Sequence, residues 1–164
     1  MNAALVVLAK APRPGLSKTR LCPPCTPRDA AALARAALAD TLGAVLATPA
    51  ARRVLVLDGP VGDWLAPGVE VVAQRGGGLD ERLANAFADV GGPALLVGMD
   101  TPQVTPADLA RGLARLMAPG IDAVLGPATD GGYWAIGLRA AQPSAFLGVP
   151  MSTASMSFLS STRR

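Results

Sequence analysis

The apolar residues of this chain fall into short continuous runs, separated by stretches with helical spacing. The clearest run covers residues 93–98 and ends on Met99-Asp100-Thr101-Pro102. A continuous apolar run bounded by Pro and Gly is typical of a strand buried on both faces of a parallel sheet. Asp100 is therefore predicted just past the carboxyl end of a strand, where open α/β sheets bind ligands. An Asp that only caps the next turn is the alternative.

Other apolar runs predict the remaining strands, at residues 3–9, 53–58, 69–74, 121–125 and 133–138. Two Thr-Pro pairs predict helix starts, with Thr as the N-cap and Pro at the first helical position. The first helix is expected from Pro27 to about Leu46, and the second from Pro106 to about Met117. An amphipathic pattern predicts a further helix from Leu79 to Val90.

Strands that alternate with helices in this order predict a three-layer, doubly wound α/β sheet. The last two strands follow each other too closely for a crossover helix, so one of them is predicted to run antiparallel, which makes the sheet mixed. We interpret residues 1–164 as a single domain. The Ser/Thr-rich end after Ser152 has no further strand pattern.

Composition supports one folded domain. The chain has 164 residues, of which 51% are hydrophobic and 4% aromatic, so its core must be built from Ala, Val and Leu. No signal-peptide pattern opens the chain, and the apolar runs are shorter than a membrane-spanning helix requires. These features predict a cytoplasmic protein with no membrane span, and they leave the oligomeric state open.

Positive charge is concentrated around the first strand–helix loop, at Lys10, Arg13, Lys18, Arg20 and Arg28. A local excess on a chain with a net charge of only +3 favours a phosphate site over a nucleic-acid surface. The loop is not a Walker A motif, because Pro12 and Ser17 stand where that motif requires Gly. A loop with Gly15 and several cations can still bind a polyphosphate. A solvated basic loop is the alternative.

Asp130 follows the fifth predicted strand and precedes two glycines. Together with Asp100 it would place two carboxylates at one edge of the sheet, a ligand set that suits Mg²⁺ or Mn²⁺. An ordinary turn between strands is the alternative interpretation.

Cys22 and Cys25 form a Cys-Pro-Pro-Cys pair, a spacing found in redox sites and zinc sites. The chain has no other Cys and no His, so a protein zinc site lacks ligands. We interpret the two residues as incidental thiols.

Four segments carry a family resemblance: 10–21 (KAPRPGLSKTRL), 78–83 (GLDERL), 98–102 (GMDTP) and 126–134 (GPATDGGYW). In this order they resemble a bacterial family of uncharacterised transferases of the glycosyltransferase-A-like, radical-SAM/selenodomain-associated type. Its wider relatives are nucleotide-sugar transferases and the guanylyltransferases of molybdenum-cofactor and 2-phospho-lactate metabolism. Residues 146–153 resemble a later family segment, although Met151 stands where Trp is usual. The family's last strand and helix have no counterpart here.

The resemblance implies a nucleotide-diphospho-sugar transferase fold and assigns roles to individual residues. Lys18 and Arg20 would bind the phosphates of a nucleotide, with Lys10, Arg13 and Gly15 in the same loop region. Gly77, Gly78 and Arg82 would lie near the base or ribose. Asp100 would match the retained acid of the family's Asp-x-Asp metal motif, and Asp130 would be the second ligand for Mg²⁺ or Mn²⁺. Asp100 and Lys18 are the implied catalytic residues.

The expected function is metal-dependent transfer of a glycosyl group from a nucleotide sugar to an unknown acceptor. Nucleotidyl transfer with release of pyrophosphate is one alternative, and a catalytically impaired nucleotide-binding remnant is another. Because the chain has no His, a general base must be a carboxylate or the acceptor's own phosphate. No nucleic-acid partner is expected.

Overall fold

The computed structural model describes residues 2–129 and 131–149. The strands are β1 (Ala4–Lys10), β2 (Arg52–Asp58), β3 (Glu70–Ala73), β4 (Ala94–Gly98), β5 (Ala123–Pro127) and β6 (Tyr133–Leu138). The α-helices are α1 (Pro27–Ala47), α2 (Leu79–Val90) and α3 (Pro106–Leu116). Short 3₁₀ helices lie at Thr19–Leu21 and Pro143–Ala145.

All six described strands form one sheet in the order β3-β2-β1-β4-β6-β5. Strands β1 to β4 run parallel, and β6 runs antiparallel to both of its neighbours, β4 and β5. The predicted mixed sheet with one antiparallel strand is confirmed. From β1 the chain builds outward through β2 and β3, and then crosses to β4 on the other side of β1. The crevice between the carboxyl ends of β1 and β4 is therefore the topological switch point of the sheet.

Alternating side chains of β1 enter two different apolar clusters, one on each face of the sheet. Leu5 and Val7 pack with α1 and α3, whereas Val6 packs with α2. On the α2 face, Phe87 and Phe146 stack with ring centroids 5.5 Å apart. Helices on both faces confirm the three-layer arrangement.

Both predicted Thr-Pro helix starts are confirmed, and each carries a complete capping box. The hydroxyl oxygen of Thr26 accepts a hydrogen bond from the backbone N–H of Asp29, and the Asp29 carboxylate accepts one from the N–H of Thr26. Thr105 and Asp108 repeat this exchange at α3. Each box satisfies donors that the helix itself leaves unpaired.

Arginine side chains donate hydrogen bonds to carbonyls at or just beyond the carboxyl ends of the three α-helices. Arg53 donates to carbonyl oxygens at the end of α1, and Arg52 donates to Val90 at the end of α2. Arg139 donates to Leu116 and Ala118 after α3, at 2.9 and 2.7 Å. It also donates to the Ile121 carbonyl at 2.7 Å. A cation at this end also interacts favourably with the helix dipole.

Helix α1 corrects the expectation that every apolar segment is too short to span a membrane. It has 21 residues and a mean hydropathy of 1.5 in its most apolar window, so by length and composition alone it could cross a membrane. In the fold, Ala34, Leu38, Leu42 and Val45 lie on one face of this helix and are buried against the sheet. The core helix of a globular domain passes the same test, and the buried face gives α1 that role here.

Of the six described strands, only β6 has its predicted bounds, and the other five differ from theirs by one or two residues. β1 continues to Lys10 because that residue still pairs with Asp58 in the ladder, although both side chains are polar. β5 begins at Ala123 because Ile121 belongs to the turn that follows α3, where its N–H donates to the Ala118 carbonyl. Backbone pairing sets these ends, and hydropathy does not report it.

Candidate functional site

The switch point brings the ends of β1 and β4 together. The N–H of Met99 donates to the Leu8 carbonyl at 3.1 Å, and the N–H of Lys10 lies 3.3 Å from the Met99 sulfur. The β1–β4 contact thus continues past the end of β4, and it fixes the backbone directly before Asp100. Asp100 itself is exposed at the carboxyl edge, as predicted.

The loop after β1 folds back on itself around Ser17. The buried Ser17 hydroxyl accepts a hydrogen bond from the N–H of Arg13 at 2.8 Å. The Arg13 carbonyl in turn accepts hydrogen bonds from the N–H groups of Leu16 and Ser17. Gly15 has a φ of 77°, which favours glycine at this turn. This closed loop delivers the chain to Lys18 in a defined position.

Lys18 has a left-handed backbone conformation, with φ 47° and ψ 40°. It is the one non-glycine residue with positive φ in the part of the chain that the structure describes. Its ammonium Nζ lies 2.6 Å from Oδ1 of Asp100, and the two side chains are 27% and 60% exposed. Such backbone conformations cost free energy and cluster at functional sites. The structure therefore joins the two residues predicted to be catalytic.

An open cleft of about 410 Å³ surrounds this ion pair. Its lining comprises Lys10, Leu16, Ser17, Lys18, Thr19, Arg20, Leu21, Ala34, Met99 and Asp100. Three of these residues are cations, and the exposed Leu16 and Leu21 add an apolar wall. Such a lining can hold an anion that is attached to an apolar or aromatic group.

Two predicted residues of the first loop lie outside the cleft lining. Arg13 reaches toward the end of β2, where a Cβ placed on Gly59 would lie 3.5 Å from the guanidinium Nη2. Gly15 shapes the turn behind Lys18. Both residues belong to the loop, but only Lys10, Lys18 and Arg20 of the predicted nucleotide-binding set line the cleft.

Arg82 lies in a second polar cluster, above the ends of β2 and β3. Its Nη1 is 3.1 Å from Oε1 of Gln74 and 3.5 Å from Oδ2 of Asp58. Its Nε donates to the Gly76 carbonyl at 3.3 Å. The amide nitrogen of Gln74 lies within 3.4 Å of the carbonyl oxygens of Ala9 and Val56. Gln74 therefore connects this cluster to β1, the strand that also leads to the cleft.

The glycines before α2 form a tight turn around Glu81. Gly76 has a φ of 112°, and a Cβ there would lie 2.9 Å from the Cβ of Glu81. The N–H of Gly77 donates to the Glu81 carboxylate at 2.7 Å. With Asp80 beside it, this helix start carries two acids. Their charge disfavours a phosphate but leaves acceptors for hydroxyl or amino groups, consistent with the predicted base or ribose region.

Gln74 and Thr41 are polar residues of this region that the sequence analysis did not identify. The fully buried Thr41 hydroxyl donates to the Ala37 carbonyl at 2.8 Å and lies 3.4 Å from the Met99 carbonyl. It thus links α1 to the segment before Asp100. One sequence signal could have identified Gln74, because it is a polar residue at the carboxyl end of a predicted strand. A single Thr among the apolar residues of α1 gives none.

Asp130 lies outside the described residues, so its predicted metal role is not tested. Within residues 2–129 and 131–149 there is no group of three or more His, Cys, Asp or Glu that could hold a metal ion. Asp100 offers one exposed carboxylate at the cleft. A Mg²⁺ or Mn²⁺ ion held by one or two carboxylates takes its other ligands from water and substrate phosphates. Asp100 fits that kind of shared site and not a cage built by protein alone.

Two other features lie close to the cleft. The N-terminal end of β6 reaches the same sheet edge, since Ala135 pairs with Val97. Burial raises the pKa of the Tyr133 hydroxyl at this end above its ordinary value of 10.0. Cys22 and Cys25 follow the 3₁₀ helix, and both are half-buried free thiols. Their interpretation as incidental thiols stays a prediction.

Comparisons with known proteins agree with this fold. A candidate nucleotide-diphospho-sugar transferase from Desulfovibrio desulfuricans G20 is 30% identical, with a TM-score of 0.79 over 94% of this chain and 71% of the other. Rv0371c from Mycobacterium tuberculosis H37Rv is 25% identical, with a TM-score of 0.56 over 85% and 72% of the two chains. Another Rv0371c structure, a complex with manganese, aligns at 21% identity and a TM-score of 0.55 over 91% and 77%.

A more distant match shows the same fold in a nucleotide-dependent enzyme. CMP:2-keto-3-deoxy-manno-octonic acid synthetase, complexed with CTP, is 14% identical, with a TM-score of 0.53 over 93% of this chain and 68% of the enzyme. The chain thus has the nucleotide-diphospho-sugar transferase-like fold that the family resemblance implied.

No curated protein matches the chain. The radical-SAM/selenodomain association of the resembled family stays a prediction. The model of a bacterial family matches residues 32–153, a span that includes most of α1, the β4 end with Asp100 and the loop before β6. The chain therefore belongs to the family DUF2064, described as uncharacterized protein conserved in bacteria.

Proposed function

We propose that this protein is a metal-dependent transferase that moves a glycosyl group from a nucleotide sugar to an acceptor. The observation that carries the proposal is the cleft at the β1–β4 switch point, with three cations and the Lys18–Asp100 pair. The similarity to a candidate nucleotide-diphospho-sugar transferase, at 30% identity over most of both chains, supports the reaction class.

In this proposal the two polar clusters hold different parts of the donor. Lys10, Lys18 and Arg20 would contact the diphosphate through charge-assisted hydrogen bonds. The base and ribose would extend along the sheet edge toward Arg82 and Gly77. The acids at the start of α2 would then accept hydrogen bonds from hydroxyl or amino groups, while the phosphates stay on the cationic side.

A divalent cation fits the chemistry of this cleft when the donor supplies part of its ligands. Asp100 would hold Mg²⁺ or Mn²⁺, with Asp130 as the proposed second ligand. The manganese complex of Rv0371c supports the use of such an ion in this fold. When bound, the ion supplies positive charge to the departing phosphate.

The chain's own residues would do three things for the transfer. Lys18 and Arg20 stabilise negative charge as it develops on the leaving diphosphate, in a cleft that orients them before reaction. Ser17 and the loop around it hold Lys18 in place. The proton of the acceptor goes to a carboxylate or to the acceptor's own phosphate, since no His is present in the sequence.

Nucleotidyl transfer is a second candidate, because three cations around one cleft can also hold a triphosphate. An acceptor phosphate or hydroxyl would then attack the α-phosphate, and pyrophosphate would leave. The products separate the two reactions: glycosyl transfer releases a nucleoside diphosphate, and nucleotidyl transfer releases pyrophosphate.

A thermal-shift screen tests the proposal directly. Nucleoside triphosphates and the common nucleotide sugars are each tested with Mn²⁺, with Mg²⁺ and with EDTA. A ligand that binds only the folded state raises the Tm. We expect a metal-dependent rise with at least one donor, followed by detection of the matching released product. If no nucleotide or nucleotide sugar raises the Tm under any of these conditions, the proposed function is wrong.

A further inference from the structure

Lys18 and Asp100 each have a second role in the proposed function, and their ion pair conflicts with both roles. Lys18 is proposed to bind phosphate, and Asp100 is proposed to bind a divalent cation. In the structure they bind each other, with 2.6 Å between Nζ and Oδ1. A divalent ion on the same carboxylate would lie a few ångströms from the ammonium, and like charges repel strongly at that range.

Hydrogen bonds hold the backbone at each member of the pair in place. On one side, Ser17 closes the loop that holds Lys18 in its left-handed conformation. On the other side, the hydrogen bond from Met99 to Leu8 fixes the backbone before Asp100. The Lys18 side chain is only 27% exposed. Asp100 is 60% exposed, so the pair lies at the open side of the cleft, where an entering ion or phosphate can reach both partners.

We infer that Lys18 competes with the divalent cation for Asp100, so that the cation binds well only when a diphosphate draws Lys18 away. This inference rests on the proposed function for the phosphate role of the cleft. In the free protein, Lys18 neutralises Asp100. When the donor enters, the ammonium moves from the carboxylate to a phosphate oxygen, and Asp100 becomes available to the ion.

The exchange makes metal and diphosphate binding cooperative. Each ligand weakens the ion pair that opposes the other, and linkage requires the two effects on affinity to be equal. Direct bonds between the ion and the phosphates would add to this coupling. The part of the coupling that comes from Lys18 disappears when its charge is removed.

The test measures Mn²⁺ binding to the full chain without nucleotide, by the loss of the free-Mn²⁺ signal in electron paramagnetic resonance. Lys18→Met removes the charge and keeps most of the side chain's volume. We expect it to bind Mn²⁺ at least about tenfold more tightly than the wild type, from loss of one like charge near the ion. Lys18→Arg keeps the charge and should bind Mn²⁺ as weakly as the wild type.

Arg111→Met is the matched control. It also removes one positive charge from an ion pair, the one with Asp108 at the exposed start of α3. It should leave Mn²⁺ affinity unchanged, which separates the local effect of Lys18 from the change in net charge. Lys18→Gly provides a second variant that also relieves the left-handed backbone. Circular dichroism confirms that each variant is folded.

The coupling is measured with inorganic pyrophosphate, corrected for the Mn²⁺–pyrophosphate complex in solution. Mn²⁺ should strengthen pyrophosphate binding by a larger factor in the wild type than in Lys18→Met. If Lys18→Met and Lys18→Gly bind Mn²⁺ alone no better than the wild type, including the case of no binding by any of them, the inference is overturned. A metal-dependent Tm rise with a donor would still support the proposed function in that case. Conversely, the Mn²⁺ affinities measured without nucleotide test the competition between Lys18 and the ion, even if no nucleotide binds to the protein.

Discussion

The ammonium of Lys18 lies 2.6 Å from the carboxylate of Asp100, although the two residues follow different strands, β1 and β4. The contact joins the loop after β1 to the single acid in the described cleft lining. Changes at either residue should therefore affect donor binding without affecting the core, since both side chains lie at the open edge of the sheet.

We predict that Asp100→Asn abolishes the Mn²⁺-dependent part of donor binding and leaves the Tm of the free protein nearly unchanged. The amide cannot supply the charge that the ion needs, and Asp100 is exposed. Thermal shift with and without Mn²⁺ measures both effects. Asp63→Asn is the control, because Asp63 is an exposed carboxylate paired with Arg35. Near-wild-type Mn²⁺-dependent affinity in Asp100→Asn would remove Asp100 from the site.

We predict that Lys18→Ala combined with Arg20→Ala weakens donor binding by several kcal/mol, since hydrogen bonds to charged groups contribute roughly 1.5–3 kcal/mol each. Calorimetric titration measures the loss. The control combines Arg111→Ala with Arg115→Ala, which removes the same charge from exposed positions of α3. Equal affinity of the wild type for a nucleoside and its diphosphate would exclude a phosphate role for this loop.

We predict that Arg139→Met lowers the free energy of unfolding by about 2–3 kcal/mol, because its guanidinium donates to three carbonyls and they would lose a charged partner. Arg115→Met changes an exposed arginine in the last turn of α3, the helix whose end Arg139 contacts, and should lower the free energy of unfolding far less. Urea denaturation gives both values. Similar midpoints for the two variants would show that the helix end does not need Arg139.

Acid should destabilise the protein through its helix caps. The Thr26 hydroxyl lowers the pKa of Asp29, and the Thr105 hydroxyl lowers that of Asp108. A lowered pKa means that the folded state favours the carboxylate, so this stabilisation is complete above the ordinary Asp value of 3.8 and is lost as pH falls through the lowered pKa. Glu70 makes the stability depend on pH in the same way, because Arg52 lowers its pKa from the ordinary value of 4.5.

Removing the caps tests this explanation. Thr26→Ala combined with Thr105→Ala should lower the Tm at neutral pH, and the difference from the wild type should narrow as pH falls below about 4. The Tm of both proteins is recorded across that range. A difference that stays constant down to the acid limit would mean that the two carboxylates do not depend on their caps.

We predict that Cys22→Ser combined with Cys25→Ser leaves donor binding and transfer essentially unchanged, and that the purified protein holds no stoichiometric zinc. Both thiols are free and lie just beyond the cleft lining. Elemental analysis and activity under reducing and oxidising conditions check this. One zinc per chain, or activity that oxidation switches off reversibly, would make the pair a functional site.

Local signals in the sequence were sufficient for most of the fold. Thr-Pro starts predicted α1 and α3 because a cap and a preset φ act within a few residues. The helix from Leu79 to Val90 matches its predicted bounds. Strand ends were less predictable, since Lys10 belongs to β1 only through its pairing with Asp58 on another strand. Register is a nonlocal property, and hydropathy along one strand does not contain it.

The candidate site also has some features that local signals predict and others that depend on contacts between distant parts of the chain. Asp100 could be identified because it follows a predicted strand end, and Lys18 because of the local excess of cations and the family resemblance, but their contact depends on the strand order. Thr41 and Gln74 act through distant carbonyls, those of Met99 and Ala9. A single sequence does not show which carbonyls a buried side chain will meet, so such supporting residues emerge only from the three-dimensional structure.

The position of β1 has a consequence for biosynthesis. It leaves the ribosome before the other described strands, yet it is interior to the sheet, with β2 on one side and β4 on the other. A nascent chain that ends before Ala94 can pair β1 with β2 and β2 with β3, but the opposite edge of β1 stays open. An unpaired, apolar strand edge is prone to aggregation. The emergence of residues 94–100 from the ribosome is thus the step that closes this edge, and it also completes the cleft, because Met99 and Asp100 belong to the cleft lining.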